Sequence, residues 1–246
     1  MKRFLLIALL LSTPLCWAGP PYITDDPEPM NYHQYQFFIF ANGVQTPQGT
    51  GLNVPALEFD YGVIPHLEIG LTIPLTINLP KDPEGASAAG LGDIQAAAKY
   101  RFFDETPTHP EVAFAPAYIF PSGNYDRGLS NGRSWTLLPI WLQKTWKKWI
   151  VYGGGGIAMN SAASMRNALF GGCVVQHDVT DQWQLGAELF AQGATSTITQ
   201  SFTLLNIGSI YHINEGWSFL LSAGKNIRGE NNLVTYIGFN WQSKTT

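Results

Sequence analysis

Cysteine, charge and long apolar runs are all scarce in this 246-residue chain. Of its two cysteines, Cys16 lies in a stretch with the form of an export signal and Cys173 remains alone, which excludes an intramolecular disulfide. Charged residues make up only 13%, with 14 basic against 18 acidic, a net charge of −4 that becomes −6 once Lys2 and Arg3 are removed. Phosphate binding needs a basic surface, so a general nucleic-acid binder is disfavoured. No His, Cys and carboxylate spacing approaches a metal motif, and no cofactor is implied. Beyond residue 18 no run approaches the roughly 18 apolar residues that a membrane helix requires.

What is present is glycine (25), proline (16) and 13% aromatic residues, a composition that suits neither disorder nor a helical bundle. Met1-Lys2-Arg3, the apolar stretch from Phe4 to Leu11 and the stretch from Thr13 to Ala18 read as a signal peptide over 1–18, cleaved after Ala18. Lipidation at Cys16 is disfavoured by the bulky Leu15 before it. The exported chain is then either soluble or crosses a membrane as strands.

Periodicity separates these two. Leu67, Ile69, Leu71, Ile73, Leu75, Ile77 and Leu79 alternate with His66, Glu68, Gly70, Thr72, Pro74, Thr76 and Asn78. A strand of that length, tilted by about 40°, rises roughly 33 Å, enough for a bilayer core and more than most soluble sheets use. The same dyad recurs in Phe59, Tyr61 and Val63, in Ile94, Ala96, Ala98, Tyr100 and Phe102, in Trp183, Leu185, Ala187 and Leu189, and in Trp217, Phe219 and Leu221. An apolar face of that length is expected to meet lipid, with the polar face lining a lumen. Twelve strands follow, at 32–45, 52–64, 66–79, 91–103, 110–120, 133–146, 149–160, 167–178, 183–193, 202–213, 217–226 and 233–242.

The expected fold is therefore all-β, a transmembrane antiparallel up-and-down barrel over 32–246, preceded by a periplasmic segment at 19–31. Tight joins at Pro65-His66, Lys147-Lys148, 180–182 and 214–216 alternate with longer ones, the asymmetry of periplasmic turns and outer loops in a Gram-negative outer membrane. Trp146, Trp149, Trp183, Trp217 and Trp241 all fall at the periplasmic interface, as an aromatic girdle would. Pro55, Pro74, Pro116 and Pro139 fit less well, since a closed barrel has no edge for a missing N–H, so each should mark a bulge, a bend or a miscounted strand. Strands six and eight are apolar on both faces and their inward side is left open.

On this register Glu58, Asp60, His66, Glu68, Lys99, Arg101 and Glu111 face inward near the periplasmic end, with Arg101 directly opposite Glu111 if the turn near Thr106 is symmetric. They form either a mutually compensating structural network or a constriction that filters a solute. Phe38, Phe40, Ile119, Tyr152, Tyr236 and Glu188 also point inward, giving a slender, partly apolar lumen suited to a small, weakly polar or aromatic solute, or simply packed. Asp25, Asp26 and Glu28 belong either to a solvated leader or to a plug; for a plug, Lys99 or Arg101 is the counter-charge.

Two rival classes remain. A hydrolase would use His212 opposite Ser218 across the 214–216 turn, with Gln184 as orienter, although no oxyanion donor is visible. A sealed structural or adhesive barrel is the other. Gly153 to Gly156 is followed by no helix, which removes a phosphate-loop reading, and Cys173 reads as inert packing.

Pro20-Pro21-Tyr22-Ile23-Thr24-Asp25-Asp26-Pro27, Gly92-Asp93-Ile94, Lys99-Tyr100-Arg101-Phe102, Pro121-Ser122-Gly123, Tyr152 to Gly155, and Gln184-Leu185-Gly186-Ala187-Glu188, in that order, resemble the outer-membrane transporter family grouped under the MetA pathway of phenol degradation. The resemblance implies a membrane barrel that passes or binds small, often aromatic compounds, with outer-membrane lipid, a small-molecule solute and the barrel-assembly machinery as partners. Gln34 and Gln36 after His33 depart from the Trp and Glu expected there, and the chain does not end on an aromatic residue, which leaves Phe239 or Trp241 for recognition by that machinery.

Overall fold

The computed structural model describes residues 19–243 apart from 84, 161 and 163; the signal peptide expected at 1–18 lies outside the described residues. Strands β1 (Tyr35–Thr46), β2 (Gly49–Ile64) and β3 (Leu67–Pro80) are followed by β4 (Ala88–Leu91) and β5 (Ile94–Phe103), which lie end to end along β3. Next, β6 (Glu111–Phe114) and β7 (Ala117–Phe120) share one stave along β5 and β8 (Trp135–Trp146). The rest are β9 (Trp149–Met159), β10 (Ala168–Asp178), β11 (Trp183–Gln192), β12 (Phe202–His212), β13 (Trp217–Arg228) and β14 (Leu233–Gln242). Each stave pairs antiparallel with its neighbours, the second neighbour of the β4/β5 stave through β5 alone, and β1 pairs with β14, so the twelve staves close into a barrel.

The two broken staves and one bulge explain the strand prolines. The β2–β3 register shifts between Asn53 and Ala56, so Pro55 falls in the bulge. Pro116 occupies the break between β6 and β7, and on the facing stave the Pro139 carbonyl accepts from Ala115 N. Pro74 keeps its place in β3, where its carbonyl accepts from Gly92 N at the break between β4 and β5. The missing N–H groups thus fall on adjacent staves where the ladder is already interrupted.

Side chains alternate as a lipid-embedded barrel requires. Ile69, Leu71, Ile73, Leu75 and Leu79 are exposed on the outer surface, while Glu68 and Asn78 at alternate positions are buried inside. β8 and β10, undecided by periodicity, turn Trp135, Leu137, Trp141 and Gln143, and Ala168, Val174 and Gln176, inward. Cys173 is exposed on the outer face. Most of the short joins, together with the longer 104–110 connection, gather at one end, the turn end, where Trp146 stands opposite Trp149 and Trp217 opposite Trp241. The other end carries the remaining longer joins, together with two short ones at 47–48 and 229–232.

Candidate functional site

Residues 19–34 do not trail from the barrel but run inside it. At the turn end His33 N donates to Gly62 O, and Gly62 N donates back to Gln34 O, both at 2.9 Å, fixing the segment to β2. Farther in, Met30 N donates to Glu68 Oε2 at 2.8 Å. Lys99 Nζ then meets Asp25 Oδ1 at 3.0 Å and Asp26 Oδ1 at 3.6 Å. Of the two counter-charges open from sequence, Lys99 takes this role. Glu28 is more exposed but lines the same lumen, with Gln143 as a hydrogen-bond partner and Arg101 nearby.

The deepest grip is on β11. Glu188, only 1% exposed, accepts from Ile23 N at 3.0 and 3.2 Å, from Thr24 N at 2.6 Å and from Asn206 Nδ2 at 3.0 Å. Ser222 Oγ donates to Pro21 O at 2.6 Å. A buried carboxylate is tolerated when several N–H donors surround it, and two of these are backbone groups that would otherwise be unpaired inside the barrel. Ile23 packs with Phe190, Leu204 and Val234, and Tyr22 with Tyr152 and Val174. Inward glycines make this possible: a Cβ at Gly208 would lie 2.8 Å from the Tyr22 ring, and Cβ atoms at Gly186 and Gly172 would collide with Tyr22 and Thr24.

Burial pushes the Asp25 carboxyl up to about 7; Lys99 opposes that rise, while Asp26 and Glu68 reinforce it. Beside the segment lies a void of about 420 Å³. Trp135, Leu137 and Trp141 on β8, Phe170 on β10 and Phe190 on β11 make one wall apolar; Glu58, Asp60, Glu68 and Lys99 on β2, β3 and β5, with Phe38 beside Glu58, make the other. Gln36 Nε2 donates to Asp60 Oδ2 at 3.1 Å. Phe38, Phe40, Ile119, Tyr152 and Tyr236 are all buried on the inner face, Phe40 stacked on Tyr236 at 5.1 Å.

Three expectations need correction. His66 belongs to the rim: the turn after Pro65 holds it at φ 68°, out of the strand, where it accepts from Arg101 Nε at 3.2 Å and lies 3.4 Å from Asp104. Arg101 does not face Glu111 directly, because a shift between Arg101 and Phe103 sets it opposite Ala113. It still reaches Glu111 at 3.4 Å, while its Nε contacts Asp104 at 2.9 Å. His212 and Ser218 pair across the turn as expected, Nδ1 to Oγ 2.9 Å, and border the larger void, but Gln184 donates to Asp178 Oδ1 instead of orienting the imidazole. In activated serine–histidine pairs a third group usually orients the base.

Sequence reasoning placed Glu188 on the inner wall without its partners. Tyr22, Thr24, Asn206 and Ser222 gave no sign of chemistry, because what brings them together is strand pairing that the linear sequence does not display.

Among curated proteins no sequence matches the chain. In fold it is similar to the COG4313 outer membrane channel from Pseudomonas putida F1, with TM-score 0.74, 12% identity, and coverage of 89% of this chain and 98% of that one. It is also similar to the KdgM porin (TM-score 0.59, 9% identity, 84% and 99% covered) and to the translocator domain of the autotransporter NalP from Neisseria meningitidis (TM-score 0.54, 13% identity, 86% and 89% covered). A family model spans residues 36–241, nearly the whole barrel, and on that match this outer-membrane β-barrel belongs to the family described as "Putative MetA-pathway of phenol degradation".

Proposed function

We propose that this protein is an outer-membrane channel for small, weakly polar or aromatic solutes, exported with cleavage after Ala18, and that residues 19–34 close its lumen at rest. The observation that carries this reading is the 420 Å³ void beside the segment, aromatic on one wall and ionic on the other. Ligand sites combine an apolar body with a few placed polar groups in this way. The family's description refers to phenol degradation, and the fold is one shared with a channel and a porin. Within the reading, Lys99 and Glu188 latch the segment, Asp25 and Asp26 are the latched groups, and Arg101, Glu111 and His66 brace the rim. The Trp girdle seats the barrel among lipid headgroups, and the barrel-assembly machinery inserts it.

Planar-bilayer recording tests this. The full chain should give small, infrequent openings, and a variant lacking residues 19–33 should give larger and more persistent ones. Silence from both, with the barrel demonstrably folded, would leave a sealed structural barrel instead.

A further inference from the structure

At the loop end the 121–134 connection turns back into the barrel, burying Leu129 and Ser130. Asp93, at the break between β4 and β5, holds it there: Oδ1 accepts from Gly123 N at 3.1 Å and Oδ2 from Asn131 N at 3.3 Å. Below it is a second void of about 170 Å³, whose lining meets that of the larger one at Glu58 and Gln95. One side of this outer void is a neutral polar rung. Asn42 on β1 stands opposite Asn53 on β2, which stands opposite Thr76 on β3, and Thr76 Oγ1 donates to Asn53 Oδ1 at 2.7 Å. Asn78 follows two residues along β3.

Asn42 is 4% exposed, yet neither its Oδ1 nor its Nδ2 has a partner, and the Oδ1 of Asn78, 5% exposed, has none either. A buried amide left unpaired at both atoms is unfavourable, and buried polar groups of that kind call for an explanation. Phe40, Ile119 and Leu129 supply apolar lining in the same void. The lining holds the acidic Glu58 and Asp93 and no basic residue, so nothing there pairs with an anion.

We propose that Asn42, with Asn78 beside it, forms an outer recognition subsite for the polar end of a neutral solute about one ring in size, one whose carboxamide or hydroxyl both donates and accepts. The amide of Asn42 offers the complementary acceptor and donor, and the ring rests on Phe40 and Ile119. The proposal rests on the channel reading for the solute's onward path, and it assigns the first contact to the amide rung instead of the aromatic chamber.

Calorimetric titration of the nanodisc-embedded full chain with benzamide and with benzoate tests it. Benzamide should bind, and benzoate, which keeps the ring but carries a negative charge, should bind at least about tenfold more weakly. Asn42→Leu should weaken benzamide about tenfold, the effect of losing two hydrogen bonds. Should Asn42→Leu fail to give a heat-modifiable barrel, Asn78→Leu serves in its place and should weaken benzamide by a smaller factor. Equal binding of benzamide and benzoate, or benzamide binding unchanged in the variant, would overturn the subsite. Bilayer recording on the same preparations keeps the two readings apart: normal openings with unaltered benzamide binding sink the subsite alone, whereas absence of openings after removal of residues 19–33 sinks the channel reading whatever the titration shows.

Discussion

At the scale of single residues, Glu188 and Asp25 carry opposite demands. Glu188 is matched by donors on three residues, so its removal strands two backbone N–H groups inside the barrel. Hydrogen bonds to a charged acceptor contribute about 1.5–3 kcal/mol each, so Glu188→Ala should weaken docking of the segment by about 3 kcal/mol, more than a hundredfold in the closed-to-open ratio. Single-channel open probability reads that ratio; an unchanged value would show that the segment is held elsewhere. Asp25 is buried against Asp26, Glu68 and Lys99, with Glu58 and Asp60 also within its field. Because its docked carboxyl is raised to about 7 from an ordinary 3.8, the docked state holds the proton more tightly. Docking is therefore favoured fully below the ordinary value and loses that contribution as pH rises through about 7. Open probability should increase between pH 4 and 7, and Asp25→Asn should flatten the increase.

At the scale of elements, the strands were legible and the segment inside them was not. The period-two pattern located all twelve staves because lipid outside and polar groups inside impose it residue by residue; β3 begins within a residue of expectation. The breaks at Gly92-Asp93 and Ala115-Pro116 were legible only as misplaced prolines. The N-terminal segment has no period of its own: Pro20 to Pro29 is acidic and proline-rich, and such a stretch reads equally as a leader in water or a strap in a lumen. What settles its place is a track of inward glycines on β10, β11 and β12, spaced by the barrel's pairing, which a linear sequence does not display. The track gives a lesion that leaves every polar anchor intact. Gly208→Val should drive out the Tyr22 ring and expose residues 19–34 to protease, with the barrel still heat-modifiable on a gel. Continued protection would mean that Tyr22 finds another seat.

At the scale of the whole molecule, closure by the β1–β14 pair encloses a lumen in which acidic groups outnumber basic ones. Glu58, Asp60 and Glu68 from the wall, with Asp25 and Asp26 from the segment, share Lys99, while Arg101 is taken up by Asp104 and Glu111 and Glu188 by backbone N–H groups. Removing the segment takes away three acidic groups, Asp25, Asp26 and Glu28, but leaves Glu58, Asp60 and Glu68 on the wall against Lys99. A narrow passage walled by low-dielectric material concentrates the field of such an excess and favours counter-ions of opposite sign. The opened barrel lacking residues 19–33 should therefore pass cations in preference to anions. The measurement is a reversal potential across a salt gradient kept near 0.1 M, where the screening length of about 10 Å leaves wall charges felt across the lumen; near 1 M it shrinks to about 3 Å and the preference should fade. Lys99→Gln should sharpen the preference, and joint replacement of Glu58 and Asp60 by their amides should blunt it. A reversal potential at zero or of anionic sign would mean that these carboxylates do not border the conducting path, and the aromatic chamber would then have to be reached by another route through the barrel.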